Sequence, residues 1–119
     1  MTSIESLAGA EYCYLTTRGR RTGRPHRIEI WFVAHEGGAY LLSDTGRSDW
    51  CRNLIADPHV TLEIGGERRE TLARPVDATD PANAVVRPAI VAKYQRGYAD
   101  DLTGWSASGW LARVEWPDS

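Results

Sequence analysis

Residues 15–25 read Leu-Thr-Thr-Arg-Gly-Arg-Arg-Thr-Gly-Arg-Pro, a cationic segment between two stretches that are typical of β-strands. Before it, residues 11–17 are rich in aromatic and β-branched types, and after it residues 26–34 alternate between two faces. The two glycines and Pro25 of the segment favour a turn over a helix. The pattern therefore predicts two strands joined by an arginine-rich loop.

Strand patterns dominate the rest of the chain. The further strands that alternation predicts are residues 39–43, 60–64, 68–76 and 110–116. Paired glycines indicate tight turns at 37–38 and 65–66. Two helices are predicted, one from Ser48 or Asp49 to just before Pro58 and one from Pro81 that Pro88 kinks or divides.

This order of elements favours a mainly β fold, a small β-barrel with a few helices, over a layered βαβ sheet. A length of 119 residues fits a single domain spanning residues 1–119.

The charge of the chain is unevenly distributed. The sequence carries 14 basic and 16 acidic side chains, for a formal net charge of −2. Residues 18–27 hold five of the basic residues and no acid, which gives +5, so nine basic and sixteen acidic residues give −7 elsewhere. A concentrated cationic loop on an acidic chain indicates a local anionic ligand. It does not indicate a basic surface that grips nucleic acid, and no RNA-binding aromatic motif accompanies it.

Composition argues against several other classes of protein. No run approaches the ~18 apolar residues of a membrane span, and the N-terminus lacks a signal pattern, so we expect a cytoplasmic protein. Cys13 and Cys51 are expected to be reduced and buried, with a reactive thiol as the alternative. The histidines are scattered and no Cys or His pair has zinc spacing, so no metal site is predicted.

Three parts of the chain are candidates for ligand binding. The arginines and glycines of the loop can hold phosphate or carboxylate groups, although a solvated, salt-bridged turn is the alternative. Residues 43–53 end a strand and begin a helix, where free N–H groups bind anions or simple N-capping occurs. The third part is aromatic: Trp31, Tyr94, Tyr98 and Trp105 either line a pocket or pack in the core.

Two motifs resemble a known family. Residues 15–25 are similar to the TT-x-GR-[KR]-[ST]-G-x-P signature of deazaflavin-dependent nitroreductases and quinone reductases, which use coenzyme F420. Residues 50–60, Trp-Cys-Arg-Asn-Leu-Ile-Ala-Asp-Pro-His-Val, are similar to the W-x-x-N-L-x-A-[ND]-P-x-V motif of the same family. The resemblance covers residues 12–77 well and is loose after residue 80. It implies a split β-barrel of the flavin-reductase-like group, which also contains the pyridoxamine-phosphate-oxidase-like FMN proteins.

The resemblance also implies roles for individual residues. Cofactor binding is expected from the loop, from the ends of two strands and from the first helix. The residues so assigned are Arg18, Gly19, Arg20, Arg21, Thr22, Gly23, Arg27, Trp31, Ser43, Arg47 and Asn53. Arg20, Arg21 and the glycine backbone would hold the phosphate and acidic tail of the coenzyme, and Asn53 would help to fix the loop or the tail. Tyr94 and Tyr98 are the candidate catalytic proton donors.

The resulting functional expectation is a hydride transfer from reduced F420 to an electron-poor small molecule such as a quinone, enone or nitro compound. An FMN-binding oxidoreductase of the same fold and a non-catalytic cofactor carrier are the alternatives. Five arginines suit the phosphodiester and oligoglutamate tail of F420 better than the single phosphate of FMN. One departure is Asp44, which stands where the family often has a lysine. A homodimer is possible, since barrels of this group often pair across the flavin site.

Overall fold

The alternating segments of the sequence form antiparallel strands in the computed structural model, which describes residues 2–117. The strands within this range are β1 (Cys13–Arg18), β2 (Pro25–Ile30), β3 (Val33–His35), β4 (Gly38–Ser43), β5 (His59–Ile64), β6 (Glu67–Pro75) and β7 (Trp110–Glu115). The α-helices of the same range are α1 (Asp49–Ala56), α2 (Ala82–Tyr94) and α3 (Thr103–Ser108), and short 3-10 turns cover Ile4–Leu7 and Gln95–Gly97.

The order of the strands forces the sheet to curl. The seven strands of the described chain lie in the order β2-β1-β5-β6-β7-β4-β3, so β2 and β3 occupy opposite edges. Only Trp31 and Phe32 separate these two strands in sequence. A two-residue connection cannot cross a flat seven-stranded sheet, because neighbouring strands lie about 4.8 Å apart. The sheet therefore closes on itself, which confirms the predicted split β-barrel.

The prediction of one continuous strand over residues 26–34 is wrong. The segment forms β2, breaks at Trp31 and Phe32, and continues as β3 on the other edge of the sheet. The alternation continues through the break, because Ile28 and Ile30 before it and Ala34 after it pack against the same core as Phe32. Periodicity reports which side chains are buried, and it carries no information on which strand is the neighbour.

The barrel interior holds the main core, and α2 covers a second one. Side chains such as Leu15, Leu41 and Leu62 are 0% exposed inside the barrel. Ala112 and Val114 of β7 are also fully buried there. The second core lies beneath α2 and includes Val86, Ile90, Tyr94, Tyr40 and Leu111.

Turn and helix predictions are mostly confirmed. Glu36 and Gly37 both have positive φ, as do Gly65 and Gly66, which is the geometry of two-residue hairpin turns. The helix α2 continues through Pro88 without division. The sequence predicts no helix over residues 103–108, because six residues that include Gly104 are too few to show a helical period.

Candidate cofactor-binding site

The arginine-rich loop between β1 and β2 is a closed turn. The Gly19 N–H donates to the Arg24 carbonyl at 2.8 Å, and the Gly23 N–H donates to the Gly19 carbonyl at 2.8 Å. Gly23 has a φ of 74°, a conformation that glycine adopts without strain. The backbone therefore holds the arginines in a defined arrangement at the end of the hairpin.

Asn53 of α1 fixes this loop to the body of the protein. Its side-chain oxygen accepts from the Arg20 backbone N–H at 3.2 Å and from the Arg20 guanidinium at 2.8 Å. Its amide nitrogen donates to the Thr17 hydroxyl at 3.2 Å. Asn53 and Thr17 are each 1% exposed. The asparagine of the second motif thus holds the loop that forms the first motif, which explains why the two occur together.

The loop and the start of α1 enclose an open cleft of about 430 Å³. Arg20 is committed to the protein, because its guanidinium also contacts Asp49 at 3.3 Å. The guanidinium groups of Arg21 and Arg24 line the cleft, are exposed, and bond to no other residue within 2–117. Unpaired guanidinium groups beside glycine backbone are the donor set that binds phosphate and carboxylate groups. The residues present therefore fit a polyanionic cofactor tail.

Two of the predicted arginines lie elsewhere. Arg27 extends from the outer face of the sheet, where it bonds Glu63 at 3.1 Å and lies over the Tyr14 ring at 4.1 Å. Arg18 points toward Asp57, 3.9 Å away, and lines a separate surface groove. Both residues lie on strands and on the outer face of the sheet, whereas the other three arginines lie in the loop, so the cationic run in the sequence divides between the loop cleft and the outer face of the sheet.

The aromatic residues form one cluster around Trp31. The Trp31 indole stacks on the Tyr94 ring, with 4.3 Å between centroids and 4° between planes. Tyr98 and Trp105 meet the same indole edge-on, at 5.5 Å and 5.9 Å. Trp31 and Trp105 line two neighbouring cavities, one of about 230 Å³ toward Leu42 and one of about 380 Å³ toward Tyr98. Trp31 therefore packs within the aromatic cluster and also lines both cavities, so the two alternatives predicted for it do not exclude each other.

The two candidate tyrosines have different surroundings. The Tyr94 hydroxyl is buried, accepts from the Phe32 N–H at 2.9 Å and lies 2.7 Å from the Glu11 carbonyl. Burial raises the pKa of Tyr94 to about 12. The Tyr98 side chain is 45% exposed and lines the larger aromatic cavity. Of the two, Tyr98 has the accessible hydroxyl.

The segment after β4 connects the aromatic cavities with the loop cleft. The Ser43 hydroxyl accepts from the Gly46 N–H at 3.1 Å, which closes a turn at the end of the strand. Asp44 lines the larger aromatic cavity, and Asp49 lines the loop cleft. Five residues of chain span at most about 18 Å, so the two regions are close enough for one extended ligand. Arg47 lies on this segment and is exposed.

Replacing Gly46 by alanine is expected to lower the free energy of unfolding by about 2–4 kcal/mol, because strain at positive φ adds to a steric clash. Gly46 has a φ of 74°, and a Cβ there would meet the Trp110 ring at 2.7 Å. Gly23 is the matched control, with the same φ of 74° and nothing within 4 Å of its added Cβ. Gly23→Ala should cost only about 1–2 kcal/mol. Urea unfolding measures both, and equal losses would contradict the proposed clash.

None of the helices within 2–117 is long and apolar enough to cross a membrane. Over the same range, no three His, Cys, Asp or Glu side chains are grouped so as to hold a metal ion.

Solved structures place this fold in the split β-barrel class. A structure described as an F420-H2 dependent reductase superposes with a TM-score of 0.69 at 21% identity, covering 88% of this chain and 94% of that one. A Listeria innocua protein named for pyridoxamine 5′-phosphate oxidase superposes with a TM-score of 0.68 at 16% identity, covering 98% and 90%. The fold is thus that of a split β-barrel.

Sequence comparison gives the family within that class. The chain belongs to the F420H(2)-dependent quinone reductase family, whose pattern matches residues 2–106. The F420H(2)-dependent quinone reductase Rv1261c of Mycobacterium tuberculosis is 33% identical over an alignment of 72 residues that covers 56% of this chain and 48% of that protein. The chain spans about half the length of the curated relatives it matches. Coenzyme F420 is the cofactor that family membership implies, as the loop motif predicted.

Sequence reasoning missed several residues of the site. Asp100 and Asp101 line the larger aromatic cavity, but isolated carboxylates in polar segments give no local signal. Lys93 contacts the Trp31–Phe32 connection, with its ammonium 2.8 Å from the Phe32 carbonyl. The available signal was that Lys93 is the single lysine of the chain, beside thirteen arginines.

Proposed function

We propose that this chain binds reduced coenzyme F420 and uses it to reduce a small electron-poor molecule, with quinones as the first class to test and enones and nitro compounds as further acceptors. The observation that carries the proposal is the loop cleft, in which Asn53 holds Arg20 while the guanidinium groups of Arg21 and Arg24 have no partner among residues 2–117. Membership of the F420H(2)-dependent quinone reductase family supports the same cofactor.

The loop cleft is the proposed site of the phosphodiester and acidic tail. Within the described part of the chain, Arg21 and Arg24 have no ion pair to give up when they bind an anionic group. Charge-assisted bonds from arginine to phosphate or carboxylate are short and often bidentate, so they position the tail as well as binding it. The Asp49 carboxylate is offset by Arg20, which lowers its repulsion of the tail.

The aromatic cavities are the proposed site of the deazaflavin ring and the acceptor. When bound, the reduced deazaflavin supplies a hydride from C5 of its ring. Trp31 and Trp105 provide flat apolar walls that orient planar molecules and exclude water. Tyr98 is the proposed donor of the proton that the reduced acceptor takes up, because this tyrosine lines the cavity and is 45% exposed.

The charge of the larger aromatic cavity favours neutral acceptors over anionic ones. Asp44, Asp100 and Asp101 line it, and no basic residue does within the described chain. An anionic acceptor in this cavity would be repelled by all three carboxylates, because like charges repel. Quinones are neutral, so this arrangement supports them as the acceptor class.

We expect the chain to oxidise F420H2 with a neutral naphthoquinone as the acceptor, and to use the sulfonate of that naphthoquinone less well. The kcat/KM for the neutral quinone should be about tenfold or more higher, which corresponds to a repulsion of about 1.4 kcal/mol or more. Loss of F420H2 absorbance measures both rates. The double variant Asp44→Asn, Asp100→Asn should bring the two kcat/KM values closer together, because an amide keeps the shape of the carboxylate and removes its charge. Asp77→Asn, on a surface loop outside the cavity, is the matched control.

The same assay tests the proposed activity itself. Coenzyme binding without oxidation by any quinone would identify a cofactor carrier and contradict the reductase proposal. An unchanged preference in the double variant would contradict the placement of the acceptor in this cavity.

A further inference from the structure

The connection between β2 and β3 lacks the hydrogen bonds of a sheet. The ladders end at Ile30 on one edge and resume at Val33 on the other, so Trp31 and Phe32 have no strand partner. Buried backbone N–H and C=O groups need partners, and their absence costs stability. Phe32 is 1% exposed, so its partners must come from within the protein.

Two neighbouring side chains of α2 supply these partners. The Phe32 N–H donates to the Tyr94 hydroxyl at 2.9 Å, and the Lys93 ammonium donates to the Phe32 carbonyl at 2.8 Å. The Tyr94 hydroxyl lies 2.7 Å from the Glu11 carbonyl and 3.0 Å from the Phe32 carbonyl. It has one hydrogen to donate, so a bond to Glu11 leaves Lys93 as the donor to Phe32.

The same two residues contact the aromatic rings on either side of the connection. The Tyr94 ring stacks on the Trp31 indole at 4.3 Å, and the Lys93 ammonium lies 3.8 Å from the centroid of the Phe32 ring. Trp31 is a wall of both aromatic cavities. A change at Lys93 or Tyr94 therefore reaches the cavities through Trp31, although neither residue lines them.

We propose that Lys93 and Tyr94 are positioning residues that clamp the Trp31–Phe32 connection and so fix the Trp31 indole as the shared wall of the two cavities. The significance of Trp31 for catalysis rests on the proposed function, whereas the clamp itself does not. An arginine would not replace this lysine, because a planar guanidinium is larger than the compact ammonium that fits between the Phe32 carbonyl and ring.

The clamp is sensitive to pH through the lysine. Burial lowers the pKa of Lys93 to about 8, whereas it raises the pKa values of the neighbouring Cys13 and Tyr94 to about 12. Glu11 and Tyr12, which immediately precede β1, are the other titratable groups that face Tyr94. The hydrogen bond to Glu11 raises the pKa of Tyr12. Between pH 7 and 9 the clamp therefore titrates through Lys93.

The direction of the effect follows from the lost proton. As the pH rises through about 8, Lys93 becomes a neutral amine and its bond to the Phe32 carbonyl loses its charge assistance. The unfolded chain keeps this proton up to the ordinary lysine pKa of 10.5, so between about pH 8 and 10.5 it binds more protons than the folded chain. The contribution of Lys93 to the free energy of unfolding therefore rises with pH over this range. Loosening of Trp31 over this range is then a local event and not the start of unfolding.

The test compares Lys93→Met, Lys93→Arg and Tyr94→Phe with the wild type in the full chain. The Trp31 indole N–H signal is followed by NMR from pH 6.5 to 9.5, with Trp31→Phe for its assignment. The wild-type signal should shift with a midpoint near pH 8. The methionine and arginine variants should lose that midpoint, and the methionine variant should show a displaced signal already at pH 7. Arg68→Met, on the far side of the barrel, is the control for loss of one positive charge.

Kinetics provides the second readout. We expect Lys93→Met and Tyr94→Phe to raise the acceptor KM or coenzyme Kd about three- to tenfold, the effect of one lost hydrogen bond, with a smaller change in kcat. An indole signal unchanged in both variants and across pH would overturn the clamp. A shifted signal with unchanged KM and Kd would support the clamp and instead contradict the placement of ligands beside Trp31.

Discussion

Replacing Asn53 by alanine is expected to lower the free energy of unfolding by about 2–4 kcal/mol and to weaken coenzyme binding, because buried partners lose their hydrogen bonds. Asn53 is 1% exposed and joins Thr17 of β1, Arg20 of the loop and its own helix α1. Alanine would leave the Thr17 hydroxyl and the Arg20 N–H without this partner. The loop would then lose its attachment to the body of the protein.

Chemical denaturation measures the loss of stability, and titration with coenzyme measures the loss of affinity. Asn53→Asp is the matched control, because a carboxylate still accepts from Arg20 and can accept the Thr17 hydroxyl proton. The free energy of unfolding of Asn53→Asp should fall by less than half as much as that of the alanine variant. If Asn53→Ala unfolds at the same denaturant concentration as the wild type, the loop is held by other contacts and this account of the second motif is wrong.

Replacing Arg20 and Arg21 together by alanine is expected to weaken F420 binding about tenfold or more, because the charge-assisted contact of Arg21, about 1.5–3 kcal/mol, is lost and the loop also loses the bond from Arg20 to Asn53 that holds it in place. The structure distinguishes the two single variants. Arg21 has no protein partner within residues 2–117, so Arg21→Ala should reduce affinity and leave the melting temperature unchanged. Arg20 bonds Asn53 and Asp49, so Arg20→Ala should reduce both.

Fluorescence titration and thermal melts separate these effects. Arg68→Ala is the matched control, since Arg68 is an exposed arginine that pairs with Glu70 of its own strand. It should leave coenzyme affinity within about twofold, as expected for a surface ion pair away from the ligand. Undiminished binding by the double variant would remove the loop from the binding site.

Most of the fold could be predicted from local patterns. Strands, turns and α1 follow from alternation, paired glycines and the proline after the helix, and the structure confirms them within a few residues. The break at Trp31 and Phe32 could not be predicted, because both halves bury the same face and the choice of neighbouring strand is a long-range property. The short helix α3 was not predicted, because its six residues show no helical period.

The candidate site was predictable to the extent that it lies in one continuous segment. The loop arginines and glycines, and the link to Asn53, follow from the two motifs and their resemblance to a family. The separation of Arg27 from the loop depends on which way a strand position faces. The contact of Lys93 with Phe32 joins residues 61 positions apart, and no spacing rule in a single sequence relates them.

The most direct test of the central claim, that the arginine loop holds a multiply charged coenzyme tail, is a fluorescence titration of the wild-type chain with F420 and with FMN. Both ligands offer a planar ring to the aromatic cavities, and they differ chiefly in the charge of the tail. We expect F420 to bind at least about tenfold more tightly than FMN, because each additional anionic contact contributes about 1.5–3 kcal/mol. FMN binding as tight as F420 binding, or tighter, would contradict the account.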